Sequence, residues 1–146
     1  GLAKLVGMEA LPGGNSLREQ IAMVAANYQR YNFFFIHFKK TDSAGEDGDF
    51  ERKVKAIEEV DGEMPALLDL GPDVLVVTGD HSTPAVLRSH SWHPVPLILH
   101  APYVRPTGVT TFGERQCAAG GLGVLPATGI LPLALANALM LGKFGA

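Results

Sequence analysis

The sequence has 146 residues, of which 47% are hydrophobic and 18% are charged, and its net charge at pH 7 is −3. This size and composition fit one globular domain or part of one and exclude a disordered or fibrous chain. No basic surface is indicated, so neither nucleic acid nor a membrane is expected as a partner. No stretch approaches the roughly 18 apolar residues of a membrane span. The single cysteine, Cys117, excludes an internal disulfide and is typical of a reducing cytoplasm, which is the predicted location.

Segments with helical periodicity alternate with short apolar runs along the chain. Ser16 or Asn15 can cap the first helix, and Glu19 falls in its first turn. The aromatic run YNFFFIH is typical of a strand buried on both faces. In chain order, we predict a helix over 16–30, a strand over 31–37, a polar loop over 39–49, a helix over 50–60 capped by Asp49, buried strands over 73–78 and 95–100, an irregular Gly- and Pro-rich stretch over 101–127, and a helix over 130–141 that stops at Gly142.

This order of elements, with continuous apolar strands, predicts an α/β sheet covered by helices on both faces. In open α/β sheets, bound molecules and ions lie at the carboxyl ends of the strands. In this sequence, three groups of potential metal-binding residues fall near the ends of predicted strands. Asp42 and Glu46 are four residues apart in the predicted loop, which lets both carboxylates converge on one cation. Gly79 lets the backbone turn sharply before Asp80 and His81, which are two further potential ligands. The three groups are His37, Asp42, Glu46, Asp47 and Asp49 after the first strand, Asp80 and His81 after the second, and His90 and His93 before the third.

Carboxylate and imidazole donors together suit Mn²⁺, Zn²⁺ and similar ions, so the three groups together predict a metal site. Each group alone also has a structural interpretation. The acidic loop can be a solvated turn and helix cap, and a single histidine can be a packing residue held by hydrogen bonds. The residues with such an interpretation are His37, His93 and His100 as packing residues, Trp92 as a hydrophobic lid or core residue, and Cys117 as a buried thiol.

The motifs VVTGDHSTP (76–84) and HSWHPVPLIL (90–99) resemble the alkaline phosphatase superfamily and, more narrowly, the archaeal-type cofactor-independent phosphoglycerate mutases. The segment HFKKTDSAGEDGDFERKVKAIEE (37–59) is similar to that family's H-x-K-x-x-D-x-x-G-H-D-G block, and the last 35 residues also match its C-terminus. The resemblance covers essentially the whole chain. It implies that the predicted sheet is part of an alkaline-phosphatase-like fold.

The resemblance also implies an activity and a ligand set. Members of this family convert 3-phosphoglycerate to 2-phosphoglycerate in glycolysis and gluconeogenesis, through a phosphoserine and with two Mn²⁺-type ions. Lys39 matches the family's lysine and could contact the substrate phosphate, and His93 is a reserve ligand. By the same resemblance, Asp42, Glu46 and His90 would hold one ion, and Asp80 and His81 would hold the other.

The sequence departs from the family at one ligand, because Glu46 stands where the family has histidine. A carboxylate is a harder ligand than imidazole, so the metal preference is expected to move toward Mn²⁺ or Mg²⁺ and away from Zn²⁺, with Co²⁺ also acceptable. The same change could mark a site that has lost its activity. A degenerate, non-catalytic domain that binds a metal or a partner protein is therefore one alternative function, and a metal-dependent phosphatase or phosphodiesterase of the same superfamily is another.

No segment resembles the family's upstream half, which carries a further metal-binding aspartate, the nucleophilic serine and the inserted substrate domain. We therefore expect residues 1–146 to be the C-terminal part of the metal-binding, phosphatase-like domain and to be inactive alone. A sheet without its upstream strands leaves an open edge and an apolar face. The expected partners are thus the missing half of the same protein, or a second copy of the chain, together with a phosphorylated substrate.

Overall fold

The computed structural model describes residues 2–142 of the chain. The helices are α1 (Leu2–Leu5), α2 (Leu17–Asn27), α3 (Lys40–Glu46), α4 (Phe50–Leu68), α5 (Glu114–Ala118) and α6 (Ile130–Asn137), with a 3₁₀ turn (Ala127–Gly129) just before α6, and the strands are β1 (Leu75–Thr78) and β2 (Leu97–His100). Helices combined with a small sheet confirm the predicted α/β class. Within the described residues, no helix is both long enough and apolar enough to cross a membrane.

The first predicted helix is confirmed as α2, and its sequence explains where it begins. Ser16 Oγ accepts a hydrogen bond from the Glu19 amide at 3.2 Å, and Glu19 Oε2 accepts one from the Ser16 amide at 3.1 Å. This reciprocal pair satisfies two backbone donors that would otherwise lack partners at the helix start. Leu17, Ile21 and Val24 are buried, and α2 packs against α4.

The prediction of a loop over 39–49 was wrong, because helix α3 occupies most of that segment. Serine, aspartate and glycine all have low helix propensity, but tertiary packing can outweigh that preference. Here α3 packs against α4, and Ala44 and Gly45 are buried. Asp49 caps α4 as predicted, accepting a hydrogen bond from the Arg52 amide at 2.9 Å, although α4 continues to Leu68 rather than ending at residue 60.

Strands β1 and β2 confirm the second and third predicted strands in shortened form. They pair antiparallel, with Leu75 opposite His100 and Thr78 opposite Leu97. The expectation that these strands are buried was wrong in part, since Leu99 is buried but Ile98 is 43% exposed. The small sheet has no further described strand to cover its edges.

The prediction of a strand over 31–37 was also wrong for the described part of the chain. The segment forms no strand there, and Phe33 and Phe35 are 54% and 71% exposed. A strand is defined by pairing of its backbone with a neighbour, and the described sheet contains β1 and β2 alone. The apolar run has the composition of a buried strand but has no strand beside it in residues 2–142.

The C-terminal part is mostly irregular, as predicted, apart from short α5. Helix α6 ends at Asn137 rather than at residue 141, because Leu139 adopts a left-handed backbone with φ of 55° that cannot continue the helix. The hydrophobic core of the described residues is small. It consists of Leu17, Ile21, Val24, Ala44, Ala56, Leu99 and Ala101.

Candidate metal centre

Helix α3 supplies the acidic side of the site. Asp42 lies in its first turn and Glu46 is its last residue, so the two carboxylates are separated by four positions. Residues at that spacing lie one above the other on the same face of a helix. The sequence analysis placed these carboxylates in a loop, but both lie on helix α3.

A closed loop after β1 supplies the histidines. Ser82 and Ser91 pair across it, with the Ser91 amide donating to the Ser82 carbonyl at 2.9 Å. Ser82 Oγ also donates to the carbonyl of His93 at 3.1 Å. This pairing brings together two histidines that are nine positions apart in sequence. The rings of His81 and His90 stack with their centroids 3.7 Å apart.

Asp42, His81 and His90 meet between α3 and this loop. One potential ligand atom of each lies within 4.8 Å of the others. Asp42 Oδ1 is 3.5 Å from His90 Nε2 and 3.9 Å from His81 Nδ1. Ligand atoms bonded to one ion at about 2.1 Å are about 3.0–3.5 Å apart. The separation of Asp42 from His90 is within that range and the separation from His81 Nδ1 is above it. The cluster therefore has the chemistry of a divalent metal site, and Asp42 and His90 also have the spacing of two ligands of one ion.

Two further predicted ligands lie at the margins of this cluster. Glu46 Oε1 is 3.5 Å from His90 Nε2, on the α3 side. Asp80 Oδ2 is 3.6 Å from His81 Nε2, on the other side of the His81 ring, and its side chain is 77% exposed. Each of these two carboxylates thus lies beside one of the stacked imidazoles, whereas Asp42 lies near both.

Asp42 is held as an anion by its neighbours. Lys39 Nζ donates to Asp42 Oδ2 at 2.6 Å, and the Thr83 hydroxyl donates to Asp42 Oδ1 at 2.6 Å. These hydrogen bonds, aided by the nearby charges of Lys39 and His81, lower the Asp42 pKa from 3.8 to about 2 despite partial burial. Because the pKa is lower in the fold, this interaction stabilises the protein above about pH 3.8 and is lost as the pH falls toward 2. At neutral pH the carboxylate is ready to bind a cation.

Lys39, the predicted substrate contact, donates a hydrogen bond to Asp42. This hydrogen bond and the negative charge of Asp42 raise the pKa of the Lys39 amine. The reserve ligand His93 lies outside the cluster of three; its Nδ1 is 2.8 Å from Ser91 Oγ, and its ring stacks on Trp92. Trp92 is not a core residue, because it is 86% exposed.

The remaining residues considered from sequence have other surroundings. Asp47 forms an ion pair with Arg52, and Asp49 serves as a helix cap. His37 and His100 are exposed. Cys117 is half-buried rather than buried, with Sγ 3.7 Å from the Leu97 carbonyl oxygen. None of these belongs to the cluster of three ligands in the described residues.

Sequence reasoning missed the residues that hold the ligands in place. Thr83 is 4% exposed, and its hydroxyl contacts both Asp42 and His81. Lys53 Nζ donates to the Thr83 carbonyl, and Gly45 lies against that same carbonyl. The one sequence feature that pointed to Thr83 is its hydroxyl two positions after His81 in GDHSTP. That spacing does not by itself identify Asp42, 41 positions away, as its partner.

A mixed α/β chain with carboxylate and imidazole donors at this spacing has the features of a metal-binding enzyme domain. Residues 13–137 match the model of the Metalloenzyme superfamily, which covers most of the chain. The chain belongs to the Metalloenzyme superfamily, and binding of divalent metal follows as a property of that family and of the donor set.

Relatives of known name match the whole chain. It is 51% identical over 147 residues to a protein of Aquifex aeolicus, 53% identical over 146 residues to one of Thermotoga maritima and 52% identical over 149 residues to one of Thermus thermophilus. All three are named probable 2,3-bisphosphoglycerate-independent phosphoglycerate mutase. The alignments cover 100% of this chain but 36–37% of those proteins, so the chain spans about a third of their length.

A solved structure of a protein from Pyrococcus horikoshii is similar in fold, with a TM-score of 0.92 and 32% sequence identity. The similarity covers 99% of this chain and 47% of that one. The shared fold and the family match agree with the expected alkaline-phosphatase-like α/β architecture. The resemblance first noted in the motifs is therefore confirmed over the whole chain.

Proposed function

We propose that this chain forms part of a metal-dependent phosphoglycerate mutase that interconverts 3-phosphoglycerate and 2-phosphoglycerate through a phosphoserine. The observation that carries the proposal is the gathering of Asp42, His81 and His90 into one ligand cluster. The names of relatives that are 51–53% identical supply the reaction and its substrate. With that reaction, a place in glycolysis and a cytoplasmic location are part of the proposal, the latter supported by the single cysteine.

The proposed ligand set comprises two groups. Asp42, Glu46 and His90 hold one ion, which is supported by the 3.5 Å separations of both carboxylates from His90 Nε2. Asp80 and His81 hold the second, supported by the 3.6 Å between Asp80 Oδ2 and His81 Nε2. Mn²⁺ is the proposed ion, because carboxylates outnumber imidazoles in this set. When bound, two such ions would neutralise phosphoryl oxygens and activate an oxygen nucleophile.

Lys39 has a proposed role beside these ligands. Its amine lies at the edge of the cluster, 2.6 Å from Asp42 Oδ2, and its side chain is 62% exposed. A lysine in that position can orient Asp42 and present a positive charge to an incoming phosphate. The raised Lys39 pKa keeps that charge at neutral pH.

The nucleophilic serine is proposed to lie in the part of the protein that corresponds to the other two-thirds of the relatives. Residues 1–146 would then form the C-terminal part of the metal-binding domain and contact the remainder of the protein. The exposed apolar side chains of Phe33, Phe35 and Ile98 support such a contact. A chain that lacks that contact is proposed to be inactive and to self-associate through these exposed apolar side chains.

The direct test is mutase activity of the full gene product with added Mn²⁺ and no 2,3-bisphosphoglycerate. Asp80→Ala is expected to lower kcat by at least about 100-fold, since it removes a proposed ligand. Asp61→Ala is the matched control, because Asp61 is an exposed carboxylate on α4. Phosphate release without isomerisation would overturn the mutase assignment in favour of a phosphatase. Metal binding without either reaction would indicate a non-catalytic domain.

Glu46→His tests the ligand that departs from the family. Imidazole is softer than carboxylate, so the variant is expected to raise the ratio of Zn²⁺ to Mn²⁺ affinity by about tenfold or more while keeping a bound ion. Isothermal titration with each metal measures the ratio. Glu58→His, an exposed change on α4, is the control and should leave the ratio unchanged. Unaltered affinities and turnover in Glu46→His would exclude Glu46 from the metal site.

A further inference from the structure

Thr83 occupies a fixed position between the two groups of ligands. Its side chain is buried, and it follows His81 by two positions in the loop after β1. Lys53, on α4, donates a hydrogen bond to its carbonyl oxygen. Gly45, on α3, lies so close that a Cβ there would be 2.2 Å from the same oxygen. Two helices therefore fix the backbone of Thr83, and its hydroxyl is left with little freedom.

The hydrogen bonds of that hydroxyl determine where its single proton lies. Thr83 Oγ1 donates a hydrogen bond to Asp42 Oδ1 at 2.6 Å, and this bond uses the only proton of the hydroxyl. His81 Nδ1 lies 3.0 Å from the same oxygen. Since the hydroxyl has no second proton, it can only accept from Nδ1, which must therefore carry hydrogen.

We propose that Thr83 is a positioning residue that fixes the Nδ1–H tautomer of His81, so that His81 binds metal through Nε2 and together with Asp80. This inference rests on the proposed metal site and adds a residue, Thr83, that determines which of the two proposed ions His81 binds. A histidine ligand commonly donates its other N–H to a fixed partner, which sets the ring orientation and the free nitrogen.

The tautomer resolves an ambiguity in the distances. By proximity alone, His81 could join Asp42, because Nδ1 is 3.9 Å from Asp42 Oδ1. A protonated Nδ1 has no lone pair for a metal, so His81 cannot share an ion with Asp42 through that nitrogen. The free Nε2 is 3.6 Å from Asp80 Oδ2, on the opposite side of the ring. Asp42 is left to share an ion with His90 and Glu46, and its own orientation is set by the same hydroxyl.

The tautomer can be read directly by nitrogen NMR of the full gene product with ¹⁵N-labelled histidine, first metal-free and then with diamagnetic Zn²⁺. His81→Gln assigns the His81 signals. In the neutral ring of the wild type, the proton is expected on Nδ1 rather than on Nε2, and Zn²⁺ is expected to shift the Nε2 signal. A neutral ring in the metal-free protein with its proton on Nε2, or coordination through Nδ1, would overturn the proposal. No substrate is involved, so a lack of mutase activity does not affect this readout.

Two variants separate the hydroxyl from the shape of the side chain. Thr83→Val keeps the shape and removes the hydroxyl; it is expected to lose the fixed tautomer and to weaken Zn²⁺ binding by about 10–100-fold. Thr83→Ser restores the hydroxyl and is expected to keep both. A purely structural role would lower the melting temperature without changing the tautomer, and that result would contradict the inference. If Thr83→Val fails to fold, the wild-type and Thr83→Ser spectra decide the question.

Discussion

Asp42→Asn is expected to weaken Mn²⁺ binding by the full gene product by at least about 100-fold and to lower mutase kcat by a similar factor. Loss of an outer partner of a metal ligand alone costs about 10–100-fold, and this variant removes a proposed ligand together with its charge. The variant keeps the size of the side chain but leaves Lys39 and Thr83 facing a neutral amide. Titration calorimetry gives the affinity, and turnover at saturating Mn²⁺ gives kcat.

Asp61→Asn is the control for this prediction, because it removes the same charge from an exposed position on α4. It should leave both affinity and kcat unchanged. The low pKa of Asp42 adds a second check, since the carboxylate remains ionised far below neutral pH. Protonation of Asp42 should therefore contribute nothing to any change in Mn²⁺ affinity between pH 7 and pH 5. Unchanged Mn²⁺ affinity in Asp42→Asn would exclude Asp42 from the metal site.

The sequence correctly predicted the elements whose starts depend on residues that are close together in the chain. The start of α2 follows from the pair of Ser16 and Glu19, and the start of α4 from the cap at Asp49. The strands near 75 and 97 were visible as apolar runs. The run at 31–37 carries the same signal but has no strand beside it within residues 2–142. Strand formation depends on a neighbour, and a single segment does not encode whether that neighbour is present.

The site shows the same division between local and distant information. Asp42 and Glu46, and Asp80 and His81, are close in sequence, so their grouping could be predicted from spacing. The meeting of Asp42 with His90 depends on the packing of α3 and on the serine pairing across the loop after β1. Thr83 and Lys53 were missed because their roles arise from contacts across 41 and 30 positions, which composition and periodicity do not reveal.

Gly45→Ala is expected to destabilise the protein even though alanine favours helices. The added Cβ would lie 2.2 Å from the Thr83 carbonyl oxygen and 3.0 Å from Thr83 Cγ2. A backbone oxygen held by Lys53 cannot yield as a flexible side chain would. Overpacking of this kind costs about 1–3 kcal/mol of unfolding free energy, against a gain of at most about 1 kcal/mol from helix propensity. Urea unfolding of the metal-free gene product measures the net change.

Gly62→Ala provides the matched comparison, because Gly62 lies inside α4 and nothing would lie within 4 Å of its added Cβ. That variant is expected to gain up to about 1 kcal/mol, so the two substitutions should have opposite signs. Gly45→Ala should also weaken metal binding, because any shift of Thr83 moves the hydroxyl that orients Asp42 and His81. If Gly45→Ala were as stable as Gly62→Ala and bound Mn²⁺ normally, then Thr83 would not be held as tightly as its contacts indicate, and Asp42 would owe its position to α3 alone.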